Sequence, residues 1–308
     1  MPTTPNVDPE VKRVMEPEAV VLVTGASGKT GLAVVGALSA GGVPVRALVH
    51  RPQAIARVEE AGAAETQVGD LLDVEDMLLA THDVRAIYHI APNFHPQEQQ
   101  IGQCVIQAAQ QNHIQRIVYH SVLHPQLPTM PHHWKKLEVE TELIETGLTW
   151  TILQPASYMQ NILAYLPEIK ATSKYRVPYP PATQLSLVDL GDVAAVASAA
   201  LTGSLLDFGI YELSGPQALS QQDVAQEIAR AIGRPVQAEA LDLSEWLARP
   251  PVQAMDSYQR EGLLAMFRHY AAHGFIGSPS VLEGLLGRPP TRFSSFVERE
   301  VKEGSEPG

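Results

Sequence analysis

Between an apolar run, Ala19-Val20-Val21-Leu22-Val23-Thr24, and a segment with Leu32, Val35 and Leu38 at helical spacing stands a turn with three glycines, Gly25-x-x-Gly28-x-x-Gly31. A strand that passes at once into a helix through such a turn leaves few folds open. The first glycine permits the tight turn, the second lets backbone approach a pyrophosphate, and the third lets the helix pack closely on the strand. The helix N-terminus then presents free N–H groups to phosphate oxygens. Gly25, Ser27, Gly28, Lys29, Thr30 and Gly31 are therefore expected to form a dinucleotide-binding loop. Gly28-Lys29-Thr30 also resembles the end of a P-loop, but that motif needs glycine at position 23, where Val23 stands, and no apolar strand ends in an aspartate suited to magnesium.

The alternation begun here continues. Strands are expected over 44–49, 65–68, 84–90, 116–121 and 148–153, with helices over 53–61, 76–79, 97–111 and 133–145. Strands alternating with helices imply βαβ units, and right-handed crossovers make an α/β fold with a doubly wound parallel sheet the economical topology. After Pro155 the rhythm changes. Residues 157–165 read as helical and 170–181, with Pro178, Pro180 and Pro181, as a loop. Strands follow at 185–188, 210–213 and 236–240. Helices follow at 192–201 and 220–232, the latter opened by Ser220 with Asp223 three residues on and closed by Gly233. The expected organisation is a flexible arm over 1–18, a dinucleotide-binding core over 19–155, and a smaller mixed α/β lobe over 156–308, interwoven with the core and placed on the substrate side.

Composition removes other classes. The chain has 308 residues, 45% of them hydrophobic, and a net charge of 22 − 34 = −12. That is enough chain to bury a large core without staples. An acidic surface repels phosphate backbones, so no nucleic-acid partner is expected. No apolar stretch is long enough to cross a membrane, and the N-terminus lacks a basic-then-apolar signal, so the chain reads as cytoplasmic. The single cysteine, Cys104, excludes an internal disulfide and cysteine-rich metal sites; it is expected as a buried core thiol. His120 and His124 straddle a strand end and have no acidic partner at metal spacing, so no metal is expected.

An NAD site places Asp or Glu about 20 residues beyond the loop, on the ribose 2′-hydroxyl, whereas an arginine there accommodates a 2′-phosphate. Arg51 holds that position, no acid occurs from Gly31 to Arg57, and Lys29, Arg46 and His50 add positive potential. NADP(H) is thus favoured over NAD(H). Asp70 and Leu71, at the end of the third strand, suit the adenine ring, although Asp70 equally suits a helix N-cap. Ala91, Pro92 and Asn93 follow the fourth strand, and the small residues there let a cofactor lie close to the backbone.

These segments resemble the NmrA-like family, within the atypical short-chain dehydrogenase/reductases. The resemblance is carried by Thr24–Gly31, Arg46–Arg51, Val68-Gly69-Asp70-Leu71, His132-His133-Trp134-Lys135-Lys136-Leu137-Glu138-Val139-Glu140 and Trp150-Thr151-Ile152-Leu153-Gln154-Pro155. It implies a Rossmann domain binding NAD(P)(H) with a small C-terminal lobe over the nicotinamide. Relatives include NADPH-dependent quinone, dye and isoflavone-type reductases, and dinucleotide sensors of transcription or signalling. The wider superfamily uses Ser and Tyr-x-x-x-Lys. Here Ser121 ends the fifth strand and Lys136 is present, but His132 stands in the tyrosine position. The expected roles are Lys136 on the nicotinamide ribose, His132 as proton donor near its ordinary pKa, and Ser121 on developing oxyanion charge. Set against these, His132 reads as a helix cap and Lys136 as a surface cation paired with Glu140. Asn93, Tyr158 and Asn161 are expected at the substrate, with the stretch holding Tyr175, Arg176 and Tyr179 as a stiff lid. Asp189 and Asp192 read as helix caps. The expected function is reduction of a carbonyl, quinone or similar small electrophile. The alternative is a redox sensor that binds dinucleotide and regulates a protein partner without turnover.

Overall fold

The computed structural model describes residues 20–302; the expected N-terminal arm, 1–18, lies outside them. The first half alternates β1 (Val20–Val23), α1 (Lys29–Ala40), β2 (Val45–Val49), α2 (Ile55–Glu60), β3 (Glu65–Val68), α3 (Val74–Thr81), β4 (Val84–His89), α4 (Glu98–Gln111), β5 (Arg116–His120), α5 (Pro131–Ile144) and β6 (Thr149–Pro155). The chain then builds β7 (Ser157–Tyr158), α6 (Leu166–Thr172), β8 (Lys174–Val177), β9 (Gln184–Val188), α7 (Leu190–Thr202), β10 (Gly209–Leu213), β11 (Ala218–Ser220), α8 (Gln221–Ile232) and β12 (Gln237–Ala240). Five α-helices follow, α9 (Leu243–Leu247), α10 (Pro250–Gln253), α11 (Ser257–His273), α12 (Ser280–Leu286) and α13 (Phe293–Val297), and a π-helical turn, Glu298–Lys302, ends the described residues.

Seven strands form one sheet in the order β3-β2-β1-β4-β5-β6-β10, and every neighbouring pair is parallel. The order reverses between β1 and β4, so a crevice opens beyond the C-terminal ends of these two strands. Both faces of the sheet are covered, which is why β1 is apolar throughout instead of alternating. Val21 and Val23 pack with Val34, Val35 and Leu38 of α1 and Val193 and Ala197 of α7. Leu22 and Ile87 point the other way, onto Val105 of α4 and Val139 of α5. This is the doubly wound Rossmann architecture that the glycine turn and the alternation imply. β10 and α7 belong to it although they come late in the chain.

The smaller lobe holds a mixed sheet, β11-β9-β7, and a parallel ribbon, β12-β8. α8 carries the expected capping box of Ser220 and Asp223, and Gly233 ends it at φ +70°. Two expectations need correction. Residues 157–165 are not one helix: Ser157 and Tyr158 join β9, and Met159–Tyr165 coil as a 3₁₀ helix. Residues 170–181 are not a loop: they hold the end of α6 and then β8, and the prolines begin only after Val177, where the strand has ended.

Candidate active site

At the crevice, Gly25 takes φ +58°, and a Cβ there would lie 2.9 Å from the Ile90 carbonyl oxygen. Gly31 has ordinary φ but no room: a Cβ would meet Gly25 O at 2.3 Å and Ala26 Cα at 2.6 Å. The two glycines therefore set α1 hard against the end of β1. Gly28 is the N-cap of α1, and no side chain caps that terminus. Its first N–H groups face outward without a side-chain acceptor, which fits a phosphate anion and its charge.

A cavity of about 1250 Å³ starts at this loop and runs beneath the smaller lobe. Gly25, Ser27, Gly28, Lys29, Thr30 and Gly31 line it. So do Asp70, Leu71, Ala91, Pro92 and Asn93, as well as Ser121, His132, Lys136, Tyr158 and Asn161. Apart from Arg46, the sequence-expected cofactor residue that stands off the wall is Arg51. It is exposed, just before a short 3₁₀ turn, while its neighbour His50 lines the cavity. Arg46 is turned away and bound to Glu65. Asp70 Oδ1 accepts the Leu72 N–H at 2.9 Å, so it closes a local turn, and Asp73 caps α3 in its place.

Lys29 reaches across the crevice, and its Nζ donates to Asn161 Oδ1 at 2.8 Å. Burial lowers its pKa. Tyr158 hydrogen-bonds His120 Nε2 at 2.6 Å, and His120 Nδ1 meets Tyr88 Oη at 2.7 Å. This row joins the lobe to the floor of the sheet. Burial, with Lys136 and His89 nearby, pushes His120 down to about 3, and burial pushes Tyr158 up to about 12. Both are neutral across the ordinary range.

The expected catalytic side chains are close together but not in their expected states. His132 is buried against the ring of Phe94, centroids 4.2 Å apart. Burial, then His133 and Lys136, pushes it down to about 2. It is a neutral imidazole at neutral pH, so it does not serve as a protonated acid near its ordinary pKa. Lys136 is not a surface cation paired with Glu140. Its Nζ binds Glu98, a carboxylate brought in by α4, and lies 5.6 Å from the ring centre of Tyr119. The Ser121 hydroxyl donates to Glu140, so in this arrangement it offers the cavity lone pairs and not an oxyanion donor.

Four features were not anticipated. Glu98 begins α4 inside a run of glutamines that reads as a solvated helix start. In the sequence Glu140 reads only as a partner for Lys136. Phe94 is buried at φ +52°, a strained setting for a bulky residue. A Cβ on Gly262 of α11 would lie 2.6 Å from the Phe94 ring. Finally, the far end of the cavity is aromatic, with Tyr175, Tyr179, Trp246, Phe267, Tyr270 and Phe275. The expected lid is thus part of a wall: Tyr175 donates to Gln221 Oε1 at 2.9 Å, and Arg176 points outward to Glu245. Asp189 caps α7 as expected and also binds Arg299, while Asp192 binds Arg288. Cys104 is half-buried at the edge of the core, not within it.

Known proteins share this organisation. An NAD(P)H azoreductase of Xenophilus azovorans is 31% identical over 289 residues, covering 90% of this chain and 96% of that protein. The NADPH-dependent quinone oxidoreductase of Escherichia coli, solved with NADPH, superposes with a TM-score of 0.78 at 22% identity, covering 91% of this chain and 99% of that one. NmrA, a negative transcriptional regulator solved with NADP, superposes with a TM-score of 0.75 at 19% identity, covering 94% and 97%. A sequence model of the NmrA-like family matches residues 17–297, the glycine turn, the Lys136 helix and the smaller lobe included, and the chain belongs to that family.

Proposed function

We propose that the chain is a cytoplasmic NADP(H)-dependent reductase of a small planar electrophile, a quinone or related conjugated carbonyl. One observation carries this reading: a single cavity touches both an uncapped helix N-terminus and an aromatic chamber, with Lys136 and Ser121 on its wall. The glycine loop would hold the pyrophosphate. His50 and Arg51, with no acid beside them, suit a 2′-phosphate. Lys136 has three N–H donors, of which Glu98 takes one, leaving others for ribose hydroxyls. The bound reduced nicotinamide supplies the hydride. The aromatic wall excludes water and stacks a flat acceptor.

The states of the side chains bear on the acceptor. An aldehyde leaves an alkoxide, which needs a proton at once, whereas a quinone leaves a delocalised phenolate. With His132 neutral, a quinone is favoured. The same observation supports a second reading, a dinucleotide sensor without turnover, and the NADP-bound regulator of the same fold is consistent with it.

Calorimetry with NADPH and NADH, followed by loss of reduced-nicotinamide absorbance with a panel of quinones and aldehydes, separates the readings. The reductase binds NADPH more tightly than NADH and oxidises it with quinones. Tight binding with no oxidation across the panel makes the protein a sensor. Failure to bind either nucleotide removes both readings.

A further inference from the structure

Two carboxylates are buried behind the cavity wall. Glu98 is matched by Lys136. Glu140 is not: among the described residues it has no ion-pair partner. It lies on α5 one turn beyond Lys136 and is 2% exposed. Ser121, just past the end of β5, donates to Oε1, and Gln154 Nε2 of β6 sits 2.9 and 3.0 Å from the two carboxyl oxygens. Of these two partners, only Ser121 also lines the cavity. The other ionisable groups around Glu140 are Lys136 on its own helix, Tyr119 of β5 and, beyond Lys136, Glu98 of α4. Burial pushes the Glu140 carboxyl up, against the opposing pull of Ser121, Gln154 and Lys136.

The direction of the Ser121–Glu140 bond depends on one proton. When Glu140 is ionised, Ser121 donates inward. When it is protonated, its O–H donates to Ser121 Oγ, and the serine hydrogen turns to the cavity.

We propose that Glu140 is the proton reserve of the site, reaching the bound electrophile through Ser121. The inference rests on the reductase reading. As the electrophile accepts a hydride from the reduced nicotinamide dinucleotide, its heteroatom gains an electron pair. That pair takes the Ser121 proton and forms a new bond to hydrogen, while Ser121 oxygen takes the Glu140 proton, breaking the carboxyl O–H and leaving a carboxylate. Water entering after product release returns a proton through Ser121. Glu140 touches no substrate; it is a positioning residue that sets the hydrogen-bond polarity of Ser121.

The test uses the full chain and the variants E140Q, E140D and S121A. Infrared spectra of the nucleotide-free protein across a pH titration read protonated carboxyl groups directly. The expected result is a carboxylic-acid band that is absent in E140Q and displaced in S121A. No difference between wild type and E140Q at any pH where both are folded overturns the proposal. With a quinone and NADPH, wild-type kcat should fall as pH rises through the midpoint of that band. E140Q should lose this limb and about 10²-fold in kcat, with KM and nucleotide affinity unchanged, and E140D should restore the limb. An E140Q enzyme that keeps both kcat and the limb overturns the proton reserve and leaves the reductase reading standing. A wild type that binds NADPH but oxidises it with no electrophile overturns both. If E140Q does not fold, the S121A band and the E140D limb decide the matter.

Discussion

His89, His120 and His132 are buried neutral, pushed down to about 3, about 3 and about 2, in each case chiefly by burial. The unfolded chain takes up these protons near pH 6.5, well before the folded one does. Stability is therefore full above about pH 6.5 and falls as pH drops toward 3, each histidine contributing a slope of about 1.4 kcal/mol per pH unit. Urea unfolding between pH 7 and 5 should show this loss, and H132F should flatten the slope by about one proton. The Lys136–Glu98 pair gives a second prediction. K136M leaves the buried Glu98 without its cation and should cost roughly 3–5 kcal/mol. The double variant K136M/E98Q should recover most of that stability while nucleotide affinity stays low, which calorimetry and urea midpoints read separately. Arg51 is exposed and follows His50 of the cavity wall in the chain. R51A should weaken NADPH binding about 10-fold or more, the size of a hydrogen bond to a charged group, and spare NADH. Equal loss of both would remove the 2′-phosphate assignment.

The docking of α1 on β1 is an exacting contact between elements. G31A has no room for its methyl between Gly25 O and Ala26 Cα. It should lower stability by about 1–3 kcal/mol and abolish nucleotide binding, as thermal melts with and without NADPH would show. That contact was legible in the sequence because a turn of this kind is written locally, in glycines three apart. The alternation of strands and helices was legible for the same reason, since each period is a short-range pattern. What depends on tertiary placement was not. Nothing near Glu98 in the chain announces that it will meet Lys136 from 38 residues away. The prolines after Val177 hid β8, because they mark where a strand stops as readily as where none exists. Tyr158 sits at helical spacing from Asn161, yet it pairs in a sheet because β9 lies alongside. The state of His132 is illegible for a related reason: a reference pKa describes solvated imidazole, and burial against Phe94 is a property of the fold.

Across the whole molecule, the two lobes are tied by the path of the chain as well as by contacts. After β6 the backbone leaves the main sheet, builds β7, α6, β8 and β9, and only then returns through α7 to lay β10 beside β6. Until residue 213 is in place, Thr151, Ile152 and Leu153, all buried in the finished protein, belong to a bare sheet edge. A fragment cut at 155, where the pattern of the sequence changes, would thus carry an apolar edge with unpaired N–H and C=O groups, the template on which chains associate. It should precipitate or elute as large species in size-exclusion chromatography, whereas the full chain should not. During synthesis the same interval keeps a nearly complete sheet waiting some sixty residues for its last strand. The late pairing raises contact order, so slow folding and a need for protection while the chain emerges follow from the strand order itself.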